Sequence, residues 1–153
     1  MHNIINLPLH DTLRASLDTF LSEPSSSMPV KCRLCGLAGH MTHEKSFSKL
    51  PRILVLNIDR QYFHKGEVYK DPRKVSFPDS LILEVKEQEV SLRHSYSLSA
   101  FICHSGASVQ SGHYTAFIKR GKKWFLCNDQ ATTEGRGSYS SNEVIFFYEL
   151  VWT

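Results

Sequence analysis

At 153 residues, 22% of them charged and 41% hydrophobic, the chain has the size and composition of one globular domain, which excludes a largely disordered polymer. The net charge of +3 is small and the lysines and arginines are scattered, which argues against a nucleic-acid surface; "KRGKK" at 119–123 falls where a hairpin tip is expected. No run of 18 apolar residues occurs, and "MHNIINLPLHD" lacks the basic start and apolar stretch of a signal peptide, so the expected location is intracellular, cytoplasm or nucleus, with no membrane partner.

In chain order, "DTLRASLDTFLS" at 11–22 places Leu13, Leu17, Phe20 and Leu21 on one helical face, with Asp11 as the expected cap. "EPSSSMP" ends that helix, and "CRLC" follows in a loop. After Pro51, "RILVLNI" is short and rich in Ile and Val and reads as a buried strand. The remainder reads as successive strands, "YSLSAFICHS", "HYTAFIKR", "KWFLCND" and "EVIFFYELVW", with 132–142 as a surface loop. The expected class is therefore α+β, a β-rich antiparallel structure with one N-terminal amphipathic helix.

Cys32 and Cys35 have the spacing of half a zinc ribbon, which needs two further ligands for a closed tetrahedral site. A local alternative adds His40 and His43, giving a spacing close to a zinc knuckle that would bind single-stranded RNA. That alternative lacks both the usual final cysteine and an aromatic residue on which a base could stack.

"SGHYTAFIKRGKKWFLCNDQ" at 111–130 carries the strongest chemical signal. A two-residue turn at Arg120-Gly121 puts His113 opposite Asn128; a turn at Gly121-Lys122 makes Asn128 a diagonal neighbour on the same face. In either register an Asn oxygen can fix the imidazole tautomer and leave the other ring nitrogen free to take a proton from a thiol or hydroxyl. The nucleophile is not evident. Cys127 is adjacent to Asn128 and so points to the opposite face, while Cys103 in "AFICH" reads as a buried small hydrophobe.

The stretch "YSLSAFICHSGASVQSGHYTAFIKRGKKWFLCND" resembles the His box of the ubiquitin-specific proteases, a family of papain-like cysteine deubiquitinases. "LPRILVLNIDRQYF" and "KVSFPDSLIL" are similar to that family's Lys-Arg-Phe and V-x-F-P elements, although Asp59 stands where lysine is usual. The resemblance implies palm and fingers portions of the fold, with 9–50 contributing the helix and a fingers piece and 51–153 the palm. It implies His113 as general base, Asn128 as its orienting residue and Asp129 as a second supporting polar residue, with ubiquitin as partner and zinc shared between Cys32, Cys35 and an upstream pair. Loop 105–112 would close over the ubiquitin tail, and His104 would be structural. A "GNTCYxN"-like Cys box occurs nowhere in the 153 residues, so the expectation is the C-terminal part of a catalytic domain, inactive alone, its helix unpartnered and apolar surface exposed. The alternative is a catalytically dead ubiquitin-binding module.

Overall fold

The computed structural model describes residues 4–22, 30–39, 45–87, 90–108, 110–135 and 142–152. Its elements are β1 (Ile4–Pro8), α1 (Leu13–Ser22), β2 (Val30–Lys31), β3 (Ala38–Gly39), β4 (Ile53–Asp59), β5 (Gln61–His64), β6 (Glu67–Lys70), β7 (Ser80–Glu87), β8 (Val90–Ser105), β9 (His113–Arg120), β10 (Lys123–Asn128), β11 (Ala131–Glu134) and β12 (Glu143–Leu150). Eight strands form one sheet in the order β1-β4-β12-β8-β9-β10-β11, with β7 paired to the first half of β8. Two small hairpins, β2–β3 and β5–β6, stand apart from it.

The core lies on one face of the sheet. Along β4, Leu54, Leu56 and Ile58 point inward while Ile53 is 49% exposed, so the strand expected at "RILVLNI" is present and buries one face. Leu13 and Leu17 of α1 enter the same cluster as Leu56, Phe101, Phe146 and Tyr148, with Phe20 and Leu21 packed at its margin. Burial of each such leucine contributes about 1.5–3 kcal/mol. The helix therefore packs its apolar face on the sheet, as its periodicity implies, and is not left unpartnered. Among the described residues no helix is long and apolar enough to cross a membrane.

Two bulges set which side chains reach the interior. Between β12 and β8 the register shifts at Phe147/Tyr148 and again at Glu143/Ile145. The first lets Leu98 and Phe101 both face inward although three positions separate them; the second does the same for Glu143 and Phe146. Glu143 is consequently fully buried at the start of its strand.

The fold is the expected β-rich, mainly antiparallel structure with one helix, and residues 4–8 add an edge strand parallel to β4. The structure corrects two further expectations. Thr12, not Asp11, caps the helix: the Ala15 amide donates to Thr12 Oγ1 at 3.0 Å, while the Asp11 carbonyl is taken by the Ser76 amide. The expected loop at 132–142 begins as strand β11, hydrogen-bonded to β10. His40 and His43 lie outside the described residues.

Candidate active site

The β9–β10 hairpin adopts the second of the two possible registers. Arg120 pairs with Lys123 and Ala116 with Cys127, so Gly121 and Lys122 form the turn. Gly121 has φ +59° and Lys122 does not have positive φ, the pattern of a II′ turn, in which only the first central residue needs glycine's freedom. Asn128 thereby sits diagonally from His113 on one face. The gap is closed by the side chains themselves, with His113 Nε2 at 2.6 Å from Asn128 Oδ1. An amide oxygen only accepts, so Nε2 donates, and in the neutral ring Nδ1 is then the nitrogen that carries the lone pair. Both residues are exposed, at the end of their strands, where a reacting group can approach.

Asp129 follows in the left-handed region at φ +49°, opening the two-residue connection that pairs Asn128 with Ala131. Asp tolerates this conformation better than most side chains. Its contribution in the structure is to the turn that delivers Asn128; the structure brings His113 and Asn128 together and shows no hydrogen bond from the Asp129 side chain to either.

Across β8, Ser105 is the register partner of His113. The loop leaving Ser105 is closed by two glycines at its neck. A Cβ on Gly112 would stand 2.3 Å from His104 Nε2 and 2.4 Å from the Ser105 carbonyl oxygen, and one on Gly106, at φ +152°, would stand 2.6 Å from the Ser111 carbonyl oxygen. His104 is buried, stacks on Tyr114 at 4.4 Å, and is held below the ordinary histidine range by burial and by the nearby Lys70 ammonium. It turns away from His113, being adjacent in sequence to Ser105.

Beneath this neck lies an ionic cluster that sequence reading missed. The Arg60 guanidinium, 3% exposed, donates to the carbonyls of Glu143, Asp71 and Arg73 at 2.8, 3.1 and 2.7 Å and lies 4.0 Å from the Glu143 carboxylate. Burial pushes the Glu143 carboxyl up, and Arg60 draws it part of the way back. Lys70, 8% exposed, donates to the carbonyls of His104 and Gly106 at 2.5 and 3.0 Å. Asp59, by contrast, is exposed and accepts from the Gln61 amide.

No cysteine stands ready beside the imidazole. Cys127 opposes Ala116 and shares the outer face with Ile118 and Phe125. Cys103 lies on the inner face, as His113 does, but is 1% exposed within the core. Cys32 and Cys35 are exposed on the remote β2–β3 hairpin, where the Gly36 amide donates to the Cys32 carbonyl. The Cys32 thiol is held below its ordinary range by hydrogen bonds from the backbone of Cys35, then of Leu34, and from the Cys35 side chain. Among the described residues no third His, Cys, Asp or Glu joins this pair to hold a metal.

Residues 8–148 match the family model described as "Ubiquitin carboxyl-terminal hydrolase". The chain is 31% identical over 146 residues to human ubiquitin carboxyl-terminal hydrolase 21, covering 92% of this chain and 26% of the relative. To chicken ubiquitin carboxyl-terminal hydrolase 2 it is 35% identical over 129 residues, covering 80% of this chain and 35% of the relative. Among solved structures, that of the SAGA Ubp8/Sgf11/Sus1/Sgf73 DUB module bound to ubiquitin aldehyde matches with TM-score 0.83 and 25% identity, over 98% of this chain and 36% of that one. The chain thus spans about a quarter to a third of the length of these two relatives. With the palm-and-fingers sheet and the His-Asn pair in place, the chain belongs to the ubiquitin carboxyl-terminal hydrolase family, of the ubiquitin-specific protease type.

Proposed function

We propose that these 153 residues are the base-bearing portion of a thiol-dependent hydrolase that cuts the bond after the C-terminal glycine of ubiquitin. The observation that carries this reading is the 2.6 Å contact that commits Nε2 of His113 to Asn128 and leaves Nδ1 open. Nδ1 takes the proton of a cysteine thiol; the thiolate attacks the glycyl carbonyl; the imidazolium returns the proton to the leaving amine; water then releases the acyl group by the same exchange. Asn128 holds the ring in its tautomer throughout, and Asp129 sets the turn on which Asn128 sits.

The thiol is the missing element. The burial of Cys103 and the outward register of Cys127 support the inference that these 153 residues alone do not turn over and act with a thiol-bearing segment. Family relationship and the ubiquitin aldehyde named for the matching structure support ubiquitin as the acyl donor. The C-x-x-C spacing on the exposed β2–β3 hairpin suits a pair of thiolate ligands, so we assign Cys32 and Cys35 two of the four places of a structural tetrahedral zinc site. This chemistry belongs in the reducing interior of the cell, where both thiols stay available.

The test uses ubiquitin bearing a C-terminal thiol-reactive electrophile, followed by mixing the chain with the Cys-box portion of a related hydrolase. The chain alone should remain unlabelled, and the mixture should hydrolyse a ubiquitin C-terminal amide, with His113→Ala lowering kcat by about 10³-fold or more. Labelling of the chain alone that is lost on Cys103→Ser or Cys127→Ser overturns the reading. Tight ubiquitin binding without activity in the mixture favours the alternative, a binding module.

A further inference from the structure

His113 has an orienter on one side and only a strand end on the other. The rigidity of that second side decides whether the imidazole holds its place, because β9 begins at His113 and the loop before it is unpaired. Its register partner is Ser105, the last residue of β8. The carbonyls immediately before and after Ser105, those of His104 and Gly106, both accept from one ammonium, Lys70 Nζ, at 2.5 and 3.0 Å. The same nitrogen lies 3.5 Å from Asn142 Oδ1, and the Asn142 carbonyl accepts from the His104 amide at 2.9 Å. Lys70 therefore grips both sides of the residue against which the base is registered, from within an 8% exposed position.

This is an unusual place for a lysine. A buried ammonium is costly unless it is hydrogen-bonded, and here its acceptors are uncharged carbonyl and amide oxygens. They lie where strand pairing runs out: the last residues of β8, the loop neck and the residue before β12. Burial, followed by the nearby Arg60 charge, lowers the Lys70 pKa. Arg60 reinforces the arrangement from the facing strand at the open end of the β5–β6 hairpin, since the Asp71 amide, next to Lys70, donates to the Arg60 carbonyl and Arg60 Nη1 donates to the Asp71 carbonyl.

We propose that Lys70 is a positioning residue for the base: by clasping the His104 and Gly106 carbonyls it fixes Ser105, and through the Ser105–His113 pairing it holds the imidazole at the distance from Asn128 that keeps Nδ1 available. The inference rests on His113 being the base of the proposed hydrolase. Removing Lys70 should leave the His113 ring present but misplaced, a fault of geometry rather than of composition.

The experiment is nitrogen-resolved NMR of the His113 imidazole in the 153-residue chain, which needs no turnover, with amide exchange read alongside. The wild type should show a single Nε2–H tautomer. Lys70→Met should give mixed tautomers and speed exchange at Gly106, Gly112 and His113 by about 10-fold or more while Leu56 in the sheet centre is unchanged, and Lys70→Arg should restore the single tautomer. If Lys70→Met does not fold, Lys70→Gln, which keeps a donor on a shorter stem, is read in the same way. An unchanged tautomer and unchanged neck exchange in a folded Met or Gln variant overturn the proposal, as does loss of protection spread evenly over the sheet. In the mixture with the Cys-box portion, Lys70→Met should lower kcat by roughly 10- to 100-fold and move KM by less than about twofold. Retention of activity by His113→Ala would sink the base assignment and leave the spectroscopic result standing; an unmoved tautomer would sink the role of Lys70 and leave the base assignment standing.

Discussion

The corner that holds His113 and the hairpin that holds Cys32 and Cys35 are built on opposite principles. The His113 corner is tied by strand pairing between distant segments and by two buried cations whose acceptors come from three different parts of the chain, 71–73, 104–106 and 142–143. The cysteine hairpin has two residues per strand, and Leu34 is 98% exposed at its turn. A catalytic imidazole must stay within a few tenths of an ångström of its orienter before substrate arrives, so its scaffold supplies the order. A structural metal site can take its order from the metal itself, because ligand bonds replace the missing core. Disturbing the first region should therefore register in the stability of the whole sheet, and disturbing the second should not.

The strongest blow to the first region falls on Arg60. Arg60→Met removes donors to three carbonyls and leaves the Glu143 carboxylate buried without its counter-charge. Breaking one side of such a pair costs about 3–5 kcal/mol, to be read as a fall in the urea midpoint with an unchanged slope. The double variant Arg60→Met with Glu143→Met should recover much of that loss, which separates a stranded charge from a lost scaffold. A smaller effect is expected at the loop neck. Gly112→Ala places a methyl group against the His104 ring and the Ser105 carbonyl, so one of them must move. The cost should be about 1–3 kcal/mol. The added methyl group should also disturb the His113–Ser105 pairing, seen as faster exchange of the His113 amide.

The parts of this architecture that were legible in the sequence are those governed by local rules. Both candidate turns of the β9–β10 hairpin keep His113 and Asn128 on one face, so the pair could be inferred before the register was known. The register itself turned on which turn gives glycine the first central position. The helix face was equally legible, since Leu13, Leu17, Phe20 and Leu21 follow one period. The Arg60–Glu143–Lys70 cluster was not, because its bonds join residues 83 and 34 positions apart. Glu143 would also face the other side of the sheet but for a bulge that no periodicity announces. Strand β1 was missed for a related reason: "IINLP" has little alternation of its own, and its partner in the parallel pairing lies far along the chain.

The smallest expected effect gives the sharpest contrast. In the metal-free chain, Cys32→Ser with Cys35→Ser should change the unfolding free energy of the sheet by no more than about 0.5 kcal/mol, since both side chains are exposed and remote from the core. Those same thiols should dominate the chemistry of the unliganded protein. Backbone amides stabilise the Cys32 thiolate, whereas Cys103 is sealed at 1% exposure, so iodoacetamide at neutral pH should modify Cys32 at least about 10-fold faster than Cys103. Intact-mass and peptide mapping would read both rates in one experiment. If Cys103 reacted as fast as Cys32, the inner face beside His113 would have to open in solution, and the contrast between a preorganised His113 corner and an open cysteine hairpin would fail.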